Sequence, residues 1–522
     1  MKQSSPRIDV DLAELDQIID EGLRAPLSAS DGEKLKNALH ALVEQASPRW
    51  RTTEKTHAVL EQPPGAETRP EKPATTNSKP APAGHGRNSA ARFPGAHRVV
   101  IAHPTLRHGD LCPECGAGKV YRQKQPKTLV RIVGRPPLEA TRYEMERLRC
   151  NGCNQVFTAE TPLEVGPEKY DATAAAMIAQ LRYGSGVPFK RLERLESNVG
   201  VPLPAATQWG LVEREAERMR PALEELIRQA AQGEVAHNDD TGIRILKLAR
   251  EPSSECRPER TGTFTSGIVS KVGTQFIALF FSGWKHAGEN LAEVLKRRAP
   301  GLQPLIQMCD ALSRNAPKLS EGVRLLLANC LAHGRRQFVE VAANFPAECR
   351  YVLETLGGVW YNDELARRGN LSSDERLRFH QDHSDLPMKT LQEWMKVQLA
   401  EHQTEPNSGL GKAIQYMLRH WEPLTLFLRE PGAPVDNNLV ERALKKAILH
   451  RKNSLFYKTM KGAAVGDLYM SLIHTCELNG ANPFDYLTEL QRNAEGLKRQ
   501  PAEWMPWNYR DTLARLGRPA AA

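Results

Sequence analysis

Residues 234–240, EVAHNDD, run apolar side chains into two adjacent acids, Asp239 and Asp240. Four further segments have the length and the β-branched or aromatic content of strands: TFTSGIVS (263–270), TQFIALFFS (274–282), PLIQMCD (304–310) and RLLLANC (324–330). The stretch AGENLAEVLKRR (287–298) has helical character and falls between the third and fourth strands. A second acid, Asp310, ends the fourth strand just as Asp239 ends the first. Residues 332–430 then read as largely helical, which is long for a simple connection.

The order of three strands, a helix, two more strands and then helices predicts an RNase H-like mixed sheet flanked by helices, over residues 233–488. A mostly helical insertion is expected at about 340–430, before the last element of the core. In such a sheet the first and fourth strands are neighbours, so the ends carrying Asp239 and Asp310 converge. Glu441, at the start of a helix in PVDNNLVERALKK, can then bring a third carboxylate to the same edge. Three converging carboxylates do not all stay ionised without a cation, and hard divalent ions such as Mg²⁺ or Mn²⁺ take oxygen ligands. Each acid also has a plainer reading. Asp239 and Asp240 fit an Asx turn and Asp310 a helix cap, while Asn438 and Glu441 fit a capping box.

Upstream, the chain reads as a series of small modules. Residues 1–60 form a helical segment, with stripes through Leu12, Leu15, Ile18 and Ile19 and through Leu35, Leu39 and Leu42; a simple helical pair and a self-association element are both open. Residues 61–98 are rich in Pro, Ala, Gly and Thr and read as a flexible linker. Residues 99–166 hold Cys112-Pro-Glu-Cys115 and Cys150-Asn-Gly-Cys153, two knuckles of the kind that give zinc four thiolates, with hairpin-like segments between. No catalytic acid accompanies them, so a structural zinc ribbon is expected. Residues 167–232 are helical, and within 187–219 a Gly-Val-Pro break precedes a second helix near Ala205, the outline of a helix-turn-helix. Residues 489–522 read as a C-terminal tail. The fold class is therefore multidomain α+β.

From Arg442 to Lys461 the charges are all positive, and Arg442, Lys445, Lys446, Arg451 and Lys452 are the candidate contacts to a phosphate backbone. Phe456 and Tyr457 interleave with them and can stack on a base, although core packing is the plainer fate of Phe456. Cys330-Leu-Ala-His333 is a lone C-x-x-H pair, read as a buried thiol and a hydrogen-bonded histidine near the edge of the site rather than as a metal site.

At 522 residues the chain has room for several domains. Its 71 basic and 62 acidic side chains give +9, which favours an anionic partner only weakly. No apolar run is long enough for a membrane span, and the first twenty residues lack the apolar core of a secretory signal. Nine cysteines without such a signal suggest a reducing compartment. A cytoplasmic, nucleoid-associated location is expected.

Together these motifs resemble the transposases of the insertion sequence 66 family. The similarity runs from about residue 85 to 510 and is carried by CPECG (112–116) with CNGC (150–153), KRLERLESNVGVPLPAATQW (190–209), HNDDTG (237–242), NCLAHGRRQF (329–338), PVDNNLVERALKKAILHRKNSLF (434–456), SLIHTCELNGANPFDYL (471–487) and PAEWMPWNY (501–509). The resemblance implies a DDE-type catalytic core with Asp239, Asp310 and Glu441 as its acids and magnesium ligands. It also implies a zinc-binding module on Cys112, Cys115, Cys150 and Cys153, DNA as substrate, and accessory proteins from the same element. Joining two ends of an element implies a homo-oligomer. The family pattern has Asp-Glu-Thr at the first acid and Asp-Gly-Tyr at the second; here they read Asp239-Asp240-Thr241 and Asp310-Ala311-Leu312. The expected function is binding of transposon ends with metal-dependent cleavage and strand transfer. The alternatives are a non-catalytic zinc-containing DNA-binding protein and an RNase H-like nuclease that does not join.

Overall fold

The computed structural model describes residues 99–517 apart from 124–127, 129–130, 133–135, 152, 154, 163–164, 167, 248–261 and 320–322. The anticipated N-terminal helices and linker, residues 1–98, lie outside the described residues. The chain divides into two units: the larger takes residues 70–334 and 358–522, and residues 335–357 belong to the other.

The larger unit opens with a short antiparallel hairpin, β1 (Arg147–Arg149) and β2 (Val156–Thr158). Three helices come next: α1 (Ala172–Ala179), extended by a π-helical turn to Gly184, then α2 (Phe189–Asn198) and α3 (Ala205–Ala230). The break after α2 has a clear local cause. Gly200 adopts φ +84°, Gly200 N–H bonds Ser197 O at 3.2 Å, and Val201 N–H bonds Glu196 O at 2.9 Å. That pattern closes a helix on a left-handed glycine. Pro204, which has no N–H to donate, then stands at the entry to α3.

The strands are β3 (Val235–Gly242), β4 (Ile245–Lys247), β5 (Phe264–Val272) and β6 (Gln275–Gly283), then α4 (Ala287–Leu295), β7 (Leu305–Cys309) and β8 (Leu325–Asn329). The main sheet runs β6-β5-β3-β7-β8. Its first three members pair antiparallel, and β3, β7 and β8 pair parallel. The first strand of the sequence reading therefore lies beside the fourth, as anticipated.

Helices dominate the chain after β8: α5 (Leu331–Val341), α6 (Pro346–Arg368), α7 (Ser373–His383), α8 (Asp385–Ala400), α9 (Gly409–Arg419), α10 (Trp421–Leu424) and α11 (Asn438–Ser454). After β9 (Tyr457–Thr459), which pairs parallel with β4, come α12 (Met460–Leu478), α13 (Pro483–Arg492), α14 (Ala494–Arg499) and α15 (Tyr509–Arg515). Residues 489–515 are no loose appendage: Leu497, Trp504, Tyr509 and Leu513 are buried in the same core as Ile268, Leu279 and Met219.

Helix α12 covers the free edge of the sheet. Thr475 Oγ1, Ser471 Oγ and Asp467 Oδ2 accept the backbone N–H groups of Ala278, Phe280 and Ser282 at 3.1, 3.0 and 2.6 Å, and Asn479 Oδ1 accepts that of Phe276 at 3.1 Å. Polar residues four apart on a helix share one face, and outward N–H groups on a strand recur every second residue. The two periods match, so an edge that would otherwise invite another strand is satisfied internally. Among the described residues no helix is long and apolar enough to cross a membrane.

Candidate active site

The register of the sheet places the first two acids. His237 on β3 pairs with Met308 on β7, so Asp239 and Asp310, each two residues further on, reach the same level on the same face of adjacent parallel strands. Asn315, fully buried at the end of a short 3₁₀ turn, bridges them: its Nδ2 donates to Asp239 Oδ1 at 3.4 Å and to Asp310 Oδ1. The carbonyl of Asn315 is held in turn by the side-chain amides of Asn238 and Gln307, at 2.9 and 2.6 Å. Burial, then the neighbouring charges of Asp310 and Asp240, push the Asp239 carboxyl up to about 6, against a backbone N–H and Asn315 that favour its ionised form.

Asp240 points the other way along the alternating strand and is spent on partners. His286 Nδ1 lies 2.8 Å from its Oδ2 and Arg314 Nη2 3.4 Å from its Oδ1, with the carboxylate 2% exposed. Asp310 does take part in a local turn, accepting Leu312 N–H at 3.3 Å, but its carboxylate still meets Asn315.

Glu441 stands in the first turn of α11, and two other chain segments fix that turn. The Asn437 backbone N–H donates to Cys330 Sγ at 3.2 Å, its Nδ2 donates to Asn238 O at 3.2 Å, and its Oδ1 lies 3.2 Å from His237 Nδ1. Burial pushes His237 down to about 4, so it is neutral, and it supplies the Nδ1–H that Asn437 accepts. Leu331 N–H bonds Val435 O at 3.1 Å, and Cys330 N–H bonds Cys309 O at 2.9 Å, so the ends of β7 and β8 and the approach to α11 interlock.

The capping-box reading of Glu441 is overturned. The N-cap is Asn437, with no side-chain cap bond, and Asn438 instead donates to Asp436 Oδ2 at 2.7 Å. Asp436 is a brace, also accepting Trp360 Nε1 at 3.0 Å. The Glu441 carboxylate is left facing His333, whose Nδ1 lies 3.9 Å from its Oε1. Cys330, His333 and Glu441 offer ligand atoms within 4.8 Å of one another, the group of this kind found among the described residues. The C-x-x-H pair looks isolated in the sequence because its partner lies more than a hundred residues away. Burial holds the Cys330 thiol up at about 12, which keeps it a neutral acceptor for Asn437.

The knuckle cysteines occupy tight turns. Leu111 and Lys119 bridge around Cys112 and Cys115, and Cys150 N–H bonds Gln155 O at 2.9 Å between β1 and β2. The Gly118 and Ala117 N–H groups and Cys112 lower the Cys115 thiol. Among the described residues the four sulfurs are not gathered within 4.8 Å of one another.

The basic residues divide. Arg442, Lys445 and Lys452 are exposed on one face of α11. Lys446 is bound to Glu477 at 2.9 Å, and Arg451 Nη1 bonds Thr241 Oγ1 at 3.0 Å and Gly242 O at 2.5 Å. The core packing expected of Phe456 falls instead to its neighbour: Tyr457 is buried and Phe456 is 38% exposed.

The mixed five-stranded sheet thus brings the acids of β3 and β7 to one edge, while Glu441 gathers with Cys330 and His333 and is not within 4.8 Å of both aspartates. Residues 169–465 match the family described as Transposase IS66 family, and the chain belongs to that family. Two uncharacterized proteins of Sinorhizobium fredii (strain NBRC 101917 / NGR234) are similar along most of their length. One, y4jD, is 27% identical over 446 residues, covering 81% of this chain and 84% of its own. The other, y4hP, is 26% identical over 435 residues, covering 80% and 76%. Membership supports a transposase role, with DNA as substrate and divalent metal use.

Proposed function

We propose that this chain is a DDE transposase with an RNase H-like core, in which Asp239, Asp310 and Glu441 form the metal-holding acids. The reading is carried by the paired placement of Asp239 and Asp310 on adjacent parallel strands. The donor chemistry fits a hard cation: two carboxylates share one amide bridge, and one of them is disfavoured as an anion by burial and by its neighbours. Asp239 rather than Asp240 takes the role, since Asp240 is committed to His286 and Arg314.

Asp239, Asp310 and Glu441 would hold divalent cations there, which would supply the positive charge that in-line displacement at a phosphodiester needs. The chain's own residues do the rest. Asn315 sets the two aspartates, Asn437 anchors the turn that presents Glu441, and Arg442, Lys445 and Lys452 hold the phosphate backbone. One site serves first for hydrolysis at an element end and then for attack by the freed 3′-hydroxyl on target DNA, both the same displacement. Helices α2 and α3 are proposed as the helix-turn-helix, and the four knuckle cysteines as a structural zinc site that steadies end recognition. Action on two ends requires a homo-oligomer, with accessory proteins of the element as further partners in the cytoplasm.

The test is incubation of the protein with Mg²⁺ and labelled element ends, comparing wild type with Asp239→Asn, Asp310→Asn and Glu441→Gln. Cleaved and joined product from wild type alone is expected. Equal product from all four removes the catalytic assignment; nicking without joining makes the protein a nuclease, and DNA binding without any product makes it a non-catalytic binder.

A further inference from the structure

Helix α11 ends on an unusual turn. Leu455 has φ +67° and ψ −38°, and Phe456 N–H bonds Ser454 O at 2.8 Å across it. This is a γ-turn of the positive-φ type, rare and strained for any residue with a Cβ and more so for a bulky one. Leu455 is 66% exposed and Phe456 38%. Neither the backbone nor the burial of a leucine is served by this arrangement.

Everything around the two residues is anchored. Arg451 bonds Thr241 and Gly242 at the end of the strand that carries Asp239. Asn453 Nδ2 bonds Gly186 O at 3.0 Å, and Arg182 Nη1 bonds Ser454 Oγ at 2.5 Å. Tyr457 N–H bonds Arg244 O at 2.9 Å, and its ring is buried with Ile243, Ile245 and Ala463. The chain is thus held on both sides of a two-residue apolar projection. Strain that its surroundings over-determine is what a preorganised contact site shows.

The surroundings also say what the projection meets. Lys452 and Lys458 flank it, Arg244 is exposed in the link between β3 and β4, and no acid occurs between Arg442 and Lys461. A second protein surface has no need of that one-sided charge, whereas a polyanion with apolar faces inside it does. We propose that Leu455 and Phe456 form a wedge that enters the base stack of bound DNA, with Phe456 stacking on an unpaired base while the basic residues hold the flanking phosphates. Apolar side chains inserted at a base step unstack it, and aromatic stacking tolerates any base. This inference rests on the transposase reading and deepens it: the helix that ends in the projection is tied through Arg451 to the end of β3, the strand that carries Asp239.

The experiment uses full-length protein, without divalent metal so that no cleavage occurs, and element-end duplexes carrying 2-aminopurine singly at successive steps. Wild type is expected to raise fluorescence at one or two adjacent steps. Phe456→Ala should abolish that rise and weaken binding by about 5- to 150-fold, the range of one stacking contact. Leu455→Gly should also lose the rise, yet melt at the same or a higher temperature, because glycine accepts the positive φ without strain. A purely structural leucine would instead leave the signal intact and lower the melting temperature, which overturns the wedge. So does a self-association that disappears in either variant, since it makes the patch a contact between copies. Wild type that binds DNA with flat 2-aminopurine signals overturns the wedge alone; wild type that binds no DNA overturns the transposase reading with it.

Discussion

The side-chain amide of Asn437 donates to the backbone carbonyl of Asn238 at 3.2 Å, joining the residue before Asp239 to the cap of the helix that carries Glu441. The same side chain accepts from His237, and it is fully buried. Asn437→Ala strands both groups away from water. A loss of about 1–3 kcal/mol per unsatisfied group is expected in urea unfolding. DNA cleavage should fall further than the unfolded fraction explains, because Glu441 loses its register with β3. Unchanged stability and unchanged cleavage would show that the tether does not position the acid.

Asp239 and Asp240 should separate cleanly on substitution. Asp239→Asn removes a disfavoured buried charge, so the variant should be as stable as wild type or more so, and inactive. Asp240→Asn breaks the contacts to His286 and Arg314 and should lower stability by about 1.5–3 kcal/mol, with cleavage surviving in the folded fraction. Thermal melts beside cleavage assays decide it; the reverse pattern would move the catalytic role to Asp240.

The exposed cations of α11 should report phosphate contacts one at a time. Arg442→Ala, Lys445→Ala and Lys452→Ala should each reduce the slope of log affinity against log salt by about 0.9. Lys446→Ala should leave the slope unchanged, since its ammonium is given to Glu477. Titrations at several salt concentrations give the slopes, and a uniform response from all four would mean that no defined track exists.

Asp467 should give stability a pH dependence of its own. Burial pushes its carboxyl up to about 7, even with Ser282 N–H and Oγ donating at 2.6 and 2.7 Å. Below about pH 4 it is neutral in folded and unfolded chains alike. As pH rises from there towards 7, the unfolded chain ionises first and the folded state loses about 1.4 kcal/mol per pH unit from this group. Asp467→Asn should flatten that part of the profile, visible as a wild-type-minus-variant difference in urea unfolding at pH 5 and pH 8. Parallel profiles would contradict it.

For the knuckles, about one zinc per chain is expected by elemental analysis, lost on Cys115→Ser. A full-length protein that binds no zinc while keeping its hairpin would count against the structural zinc site.

The sequence determined which elements form and in what order, because strand and helix periods are local: EVAHNDD, TFTSGIVS, TQFIALFFS, PLIQMCD and RLLLANC all became strands, and the Gly-Val-Pro break ended α2. It also brought out the acids, since each sits at the end of an element. Tertiary structure alone decided how those side chains are spent. That Asp240 belongs to His286 and Arg314, Lys446 to Glu477 and Arg451 to Thr241 depends on contacts between residues tens to hundreds of positions apart, which leave no periodic trace. The same holds at the start of α11, where Asn438, which fits a capping box in the sequence, instead donates to Asp436, and the amide of Asn437 ties α11 to β3. That Tyr457 rather than Phe456 is buried has a similar cause: one γ-turn at Leu455 sets which ring faces the core, and no propensity favours a leucine there.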